Sequence, residues 1–235
     1  MAARSPTPSV AAPGSFAGWP PEAFEFYEGL EADNSKAYWT AHREVFEQAV
    51  RAPMLAFAAA VEAEFGPLHI FRPHRDVRFS KDRSPYKTQL GAVTEGEGGE
   101  IYYVHVSAQG LVAGSGAYHM AADQLQRHRE ALADDDSGRE VEAIVAALEA
   151  EGYDIAANAE LKSAPRGYPR DHPRIRLLRL KGLVAMRSFE PAPWMCTHGA
   201  LDRIVSTWHG CRDLNGWLAR HVGPSEAPPD GMDAW

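Results

Sequence analysis

The 235-residue chain has only two cysteines, Cys196 and Cys211. That excludes a disulfide-stapled scaffold, and their separation with no CxxC pattern speaks against a metal or redox pair. Two reduced thiols in or near a helix are expected instead. No apolar run reaches the roughly 18 residues of a membrane-spanning helix, so no membrane partner is expected. The first twenty residues carry a single Arg and no apolar core of a secretory leader, which places the protein in the cytoplasm. Internal repeats are missing. So are the phosphate-cradling GxxxxGK[ST], GxGxxG after a strand, HExxH and GxSxG. No cofactor is assigned on this basis, and the ten histidines are too scattered to suggest a metal site. His69 and His74, for example, bracket Pro73, which denies them helical metal-binding geometry.

Positive charge is in deficit overall, with 24 Lys and Arg against 32 Asp and Glu, a net of −8. The distribution is uneven. Residues 72–87 hold Arg72, Arg75, Arg78, Lys81, Arg83 and Lys87 against Asp76 and Asp82, or +4. Residues 162–181 hold seven cations against Asp171, or +6. The remainder is an acidic body of −18. Such a body repels phosphate backbones, so nucleic acid ranks last among partners.

Apolar periodicity predicts a short helix over 20–30 and a second one from Asn34 as N-cap, kinked or restarted at Pro53. Extended segments follow. The clearest strands are Ile101–Ser107 and Leu111–Tyr118, a hairpin joined across Gln109-Gly110. Helices return over 121–133 and 138–151, with Asp134, Asp135, Asp136 and Ser137 supplying capping oxygens between them. A Pro/Gly loop spans 160–173, a short helix starts at Pro173, and Leu183–Phe189 reads as a strand. Leu201 through Leu218 read as one long amphipathic helix. Clustered strands between helical stretches define an α+β fold with a mainly antiparallel sheet and helices packed on it. One domain over 16–222 is expected, between flexible tails at 1–15 and 223–235.

The first basic island reads Arg75-Asp76-Val77-Arg78-Phe79-Ser80-Lys81-Asp82-Arg83-Ser84-Pro85-Tyr86-Lys87. This run resembles the hallmark R-D-x-R-F-S-K-D-K-S-P-Y-K of the bacterial and fungal family catalogued as domain of unknown function 2461. Asp33-Asn34 with Tyr38-Trp39, and Gly114-Ser115-Gly116-Ala117-Tyr118, also resemble segments of that family. The resemblance spans about residues 16–222 and implies one α+β domain. It implies no reaction, cofactor or ligand.

Physical chemistry suggests a role for the islands. If residues 76–79 are extended, Asp76 and Arg78 share one face and Val77 and Phe79 the other. Cations, hydroxyls and backbone N–H groups presented together suit a phosphate or carboxylate. The candidate ligand-binding residues are Arg75, Arg78, Ser80, Lys81, Tyr86, Lys87, Lys162, Arg166 and His172, the last also an acid–base candidate beside Asp171. The expected partner is a small anionic ligand held where the islands converge. Two alternatives stand beside it: a non-catalytic protein-interaction module whose basic segments are internal struts, and nucleic-acid binding. In the strut reading the Pro85-Tyr86 step packs its ring into the core.

Overall fold

The computed structural model describes residues 15–76, 83–95 and 100–226. Strands β1 (His69–Ile70), β2 (Gln89–Glu95), β3 (Ile101–Ser107), β4 (Gly110–Ala117), β5 (Asp154–Ala156) and β6 (Leu183–Phe189) form one sheet. Their order is β1-β2-β3-β4-β6-β5, with every neighbouring pair antiparallel. The fold is α+β, as the clustering of strands predicts.

Alternation along each strand sorts its side chains onto two faces. Leu90, Ala92, Val104, Val106, Leu111 and Ala113 point into one hydrophobic core. Ala117, Leu183 and Ala185 share that face by register and enter a second core. The first core is built from α1 (Pro21–Ala32), α2 (Lys36–Val45), α3 (Ala52–Phe65) and α7 (Gly199–Gly210). The second is built from α4 (Ala122–Ala133), α5 (Asp135–Ala150), α6 (Ile175–Leu178) and α8 (Arg212–His221). The opposite face carries Val93, Ile101, Tyr103, His105 and Met186, and none of these belongs to either core. Among the described residues, helices therefore cover one side of the sheet only.

Two local expectations, the cap at Asn34 and the single C-terminal helix, are corrected. Asn34 does not cap α2; Ser35 does, its Oγ accepting the Tyr38 N–H at 3.1 Å. Asn34 is occupied elsewhere, as shown below. The restart expected at Pro53 is seen: α2 passes through a π-helical turn, Phe46–Arg51, into α3, with Pro53 in its first turn. That wider turn precedes Pro53 and accommodates a ring with no N–H to donate. The C-terminal helix divides at Cys211 into α7 and α8. Tyr153 Oη donates to the Thr207 carbonyl at 3.0 Å, the acceptor a continuous helix would use for Cys211. The Cys211 N–H turns to Trp208 O at 3.1 Å instead, tightening the last turn.

Residues 1–14 of the expected N-terminal tail lie outside the described residues. At the other end the chain stays attached beyond Val222: Glu226 N–H and Ser225 Oγ donate to Asp123, and Arg127 donates to Pro224 O at 2.7 Å. No helix among the described residues is long and apolar enough to cross a membrane.

Candidate functional site

The first basic segment prolongs the β1–β2 edge of the sheet. His74 pairs with Tyr86, the Arg75 N–H donates to Pro85 O at 2.9 Å, and the Lys87 N–H donates to Pro73 O at 2.8 Å. Asn34 clamps this ladder from 52 residues away. Its Oδ1 accepts the Tyr86 N–H and its Nδ2 donates to the Tyr86 carbonyl, both at 3.1 Å. The Tyr86 ring is 5% exposed and stacks on Trp39 at 4.3 Å with 6° between planes. Tyr86 is thus an anchor for the segment rather than a group turned toward a ligand, because a ring stacked in the core has no face left to offer. Arg78, Ser80 and Lys81, with Val77, Phe79 and Asp82, lie outside the described residues.

The ladder turns Arg75 and Lys87 toward the helix-free side of the sheet. Both line a cleft of about 410 Å³ with Phe71, Thr88, Gln89, Gly91 and Tyr103. Lys87 Nζ lies 5.2 Å from the centre of the Phe71 ring, a cation–π contact. Partial burial, and after it the positive charges of Arg72 and Arg75, push the Lys87 ammonium below its usual pKa.

Phe71 and Tyr103 also line a second, apolar cleft of about 260 Å³ with Val93, Ile101, His105, Tyr118, Val184 and Met186. β3 supplies its ridge, Ile101, Tyr103 and His105 at alternate positions. Register places Gly114 opposite Tyr103 and Gly116 opposite Ile101. Gly116 has φ of 134°, a conformation open to glycine and rarely to other residues. An added Cβ at Gly114 would also meet the Met186 Cα at 2.8 Å. The close approach of β6 thus keeps both positions without a side chain, and the gutter between β3 and β6 is partly covered at Gly114 by the Met186 sulfur, 2.5 Å from where a Cβ would lie.

At the junction of the two clefts, Gln89 Nε2 donates to Tyr103 Oη at 3.1 Å, and Tyr103 Oη lies 3.1 Å from His105 Nδ1. Burial pushes the Tyr103 phenol up to about 12, so it is protonated and can donate to His105. Burial pushes the His105 imidazole down to about 4, so near neutral pH it is uncharged, with its proton assigned to Nε2 by that bond. The row offers neutral hydrogen bonds beside a pair of cations.

The second basic segment lies elsewhere. It joins β5 to β6 at the far end of the sheet, and Tyr168 and Ile175 pack on the second core, on the helical side. Arg174 is 5% exposed and fully engaged: Nε donates to Leu132 O at 2.5 Å, and Nη2 donates to Ala133 O and Asp134 O. It also pairs with Asp135 and Glu142. Arg179 Nε donates to Leu161 O at 2.7 Å and Arg179 pairs with Glu160; Arg176 pairs with Glu149. Lys162 and Arg166 are exposed, and His172 Nδ1 accepts the Arg174 N–H at 3.1 Å. No described cleft is lined by residues of both islands. The islands therefore separate: Arg75 and Lys87 share a cleft, while Lys162, Arg166 and His172 belong to a strut region.

Phe71, Gln89, Tyr103, His105, Tyr118 and Met186 are absent from the sequence-derived candidates. Their available signal was the alternation in IYYVHVS, which puts Ile101, Tyr103 and His105 on one face opposite the glycines of the next strand. Read from charge, these residues are silent.

Helices on one face of an antiparallel sheet, and a cation-edged aromatic trough on the other, define an α+β domain whose described helices share one sheet face. The chain belongs to the family described as conserved hypothetical protein (DUF2461), whose sequence profile matches residues 22–217. The match runs from α1 into α8 and so takes in both cores and the trough. No curated protein and no solved structure matches the chain.

Proposed function

We propose that the protein binds a small anionic ligand, bearing a phosphate or carboxylate, in the cleft lined by Arg75 and Lys87. One observation carries this reading: the ladder brings two cations, Arg75 and Lys87, to the same cleft. The depressed Lys87 pKa agrees with it, because crowded like charges are relieved by a bound anion. Thr88 and Gln89 in the same lining add neutral polar groups for directed bonds. A continuous basic groove for nucleic acid fits less well, since several arginines of the second island are held by carbonyls and carboxylates of the domain itself. The cytoplasm is the compartment that suits two unpaired cysteines, one buried and one half-buried.

Titration of the protein with inorganic phosphate and with acetate tests the reading. Saturable binding is expected to one of them, and Lys87→Gln is expected to weaken it about tenfold, the usual size of a lost charge-assisted hydrogen bond. Lys162→Gln, on the other island, is expected to leave it unchanged. Loss of affinity in Lys162→Gln with none in Lys87→Gln would place the anion elsewhere.

A further inference from the structure

Resting on that anion-site reading, we infer that the gutter on the helix-free face receives a flat aromatic group, so that the ligand is an aryl phosphate or aryl carboxylate. Four observations converge on it. First, Phe71 and Tyr103 line both clefts, so the apolar space opens directly onto the space that holds Arg75 and Lys87. A single molecule can span both. Second, the apolar cleft contains no charged side chain among its described lining residues, and its one titratable base, His105, is held neutral. The space is thus unsuited to a second anionic group and suited to carbon.

Third, the shape is that of a slot. Gly114 and Gly116 put no side chain between β3 and β6; the Met186 sulfur lies over Gly114, and Ile101 and Tyr103 in one row, with Val184 and Met186 in another, line the cleft that remains. Two strand spacings, about 9–10 Å, separate these rows. Phe71 and Tyr103 stand at the junction with centroids 6.4 Å apart and planes 35° from parallel, and Tyr103 meets His105 edge to face at 5.5 Å. Fourth, size sets a limit. At about 260 Å³ the slot falls below the usual range for drug-sized ligands, so it admits one ring system and not a dinucleotide. Tyr118, 41% exposed at the rim, is an apolar ring in water that such a ligand would cover.

Calorimetric titration with matched pairs tests this: phenyl phosphate against inorganic phosphate, and benzoate against acetate. In at least one pair the aryl member is expected to bind about tenfold tighter or more, which is what burial of one ring supplies. Tyr118→Ala, at an exposed position that leaves the cores intact, is expected to weaken the aryl member several-fold and leave the simple anion unchanged. The Met186 methyl carbon resonance is expected to shift with the aryl member and not with the simple anion. Equal affinities within both pairs, or an aryl preference indifferent to Tyr118→Ala with no Met186 response, would overturn this inference and leave the anion site standing. If none of the four probes binds, the anion reading itself falls and this inference with it.

Discussion

Arg174→Ala is expected to cost the domain about 3–5 kcal/mol, the range found when one partner of a buried charged network is removed. For a chain of this size that lowers Tm by about 10 °C or more. The reason lies in what the guanidinium joins. Leu132, Ala133 and Asp134 end α4, where the last carbonyls of a helix lack partners and the dipole is negative. Arg174 arrives from 40 or more positions along the chain, with its side chain only 4% exposed, and satisfies all three carbonyls. The following residue, Asp135, opens α5, and Glu142 lies further along it; both pair with the same side chain. Alanine would deprive the Leu132 and Ala133 carbonyls of their donor, with Asp134 O keeping only the Gly138 N–H, and would open a cavity.

Gly138 is part of the same device. A Cβ there would lie 2.5 Å from Arg174 Nε and 2.6 Å from Leu132 O. Gly138→Ala is therefore expected to destabilise although alanine is the better helix former by about 1 kcal/mol. In the double variant the arginine half of the clash is gone and the carbonyl half remains. The two costs are expected to fall short of additivity by at least about 1 kcal/mol, measurable by denaturant unfolding of the four proteins. Strict additivity would mean that Arg174 and Gly138 do not act together.

This pair also shows what the sequence could and could not tell. Charge counting finds both basic islands and gives the stronger signal to the second. It cannot say that Arg174 turns inward, because the carbonyls it serves belong to α4 and have no signature in side-chain composition. The fold class was legible because it rests on local periodicity: the hairpin around Gln109-Gly110 and the grouping of strands survive intact. Asn34 was misread for the opposite reason. A local rule favours it as a cap, and a contact 52 residues away takes it for Tyr86. Likewise the division of the last helix depends on Tyr153, more than fifty residues before it. The site divides in the same manner. Arg75 and Lys87 could be found by charge, whereas the trough beside them is made by glycines and alternate residues of strands that only the sheet register brings together.

The second large effect is acid lability. His128, on α4, is 0% exposed, lies edge-on to Trp217 at 5.8 Å, and has no protein partner at either ring nitrogen. Burial, and then the nearby Arg129 charge, push its pKa down to about 3; burial alone takes His105 to about 4. In the unfolded chain both titrate near 6.5. Between these limits the unfolded state binds the proton and the folded state does not, so stability falls as pH falls. It is complete above about pH 6.5 and declines by about 1.4 kcal/mol per pH unit for each histidine until the folded-state pKa is reached. At pH 5 that is roughly 2 kcal/mol from His128 and as much again from His105. His128→Leu removes one of the two protons. It also removes two buried nitrogens that no protein group satisfies, so near pH 7 it is expected to be neutral or mildly stabilising. Denaturant unfolding across pH 5–6 is expected to give the parent chain a slope near two protons and His128→Leu a slope near one. A parent slope unaffected by His128→Leu would mean that His128 takes up its proton in the folded domain as easily as outside it. The core around Trp217 would then have to open in acid before the domain as a whole unfolds.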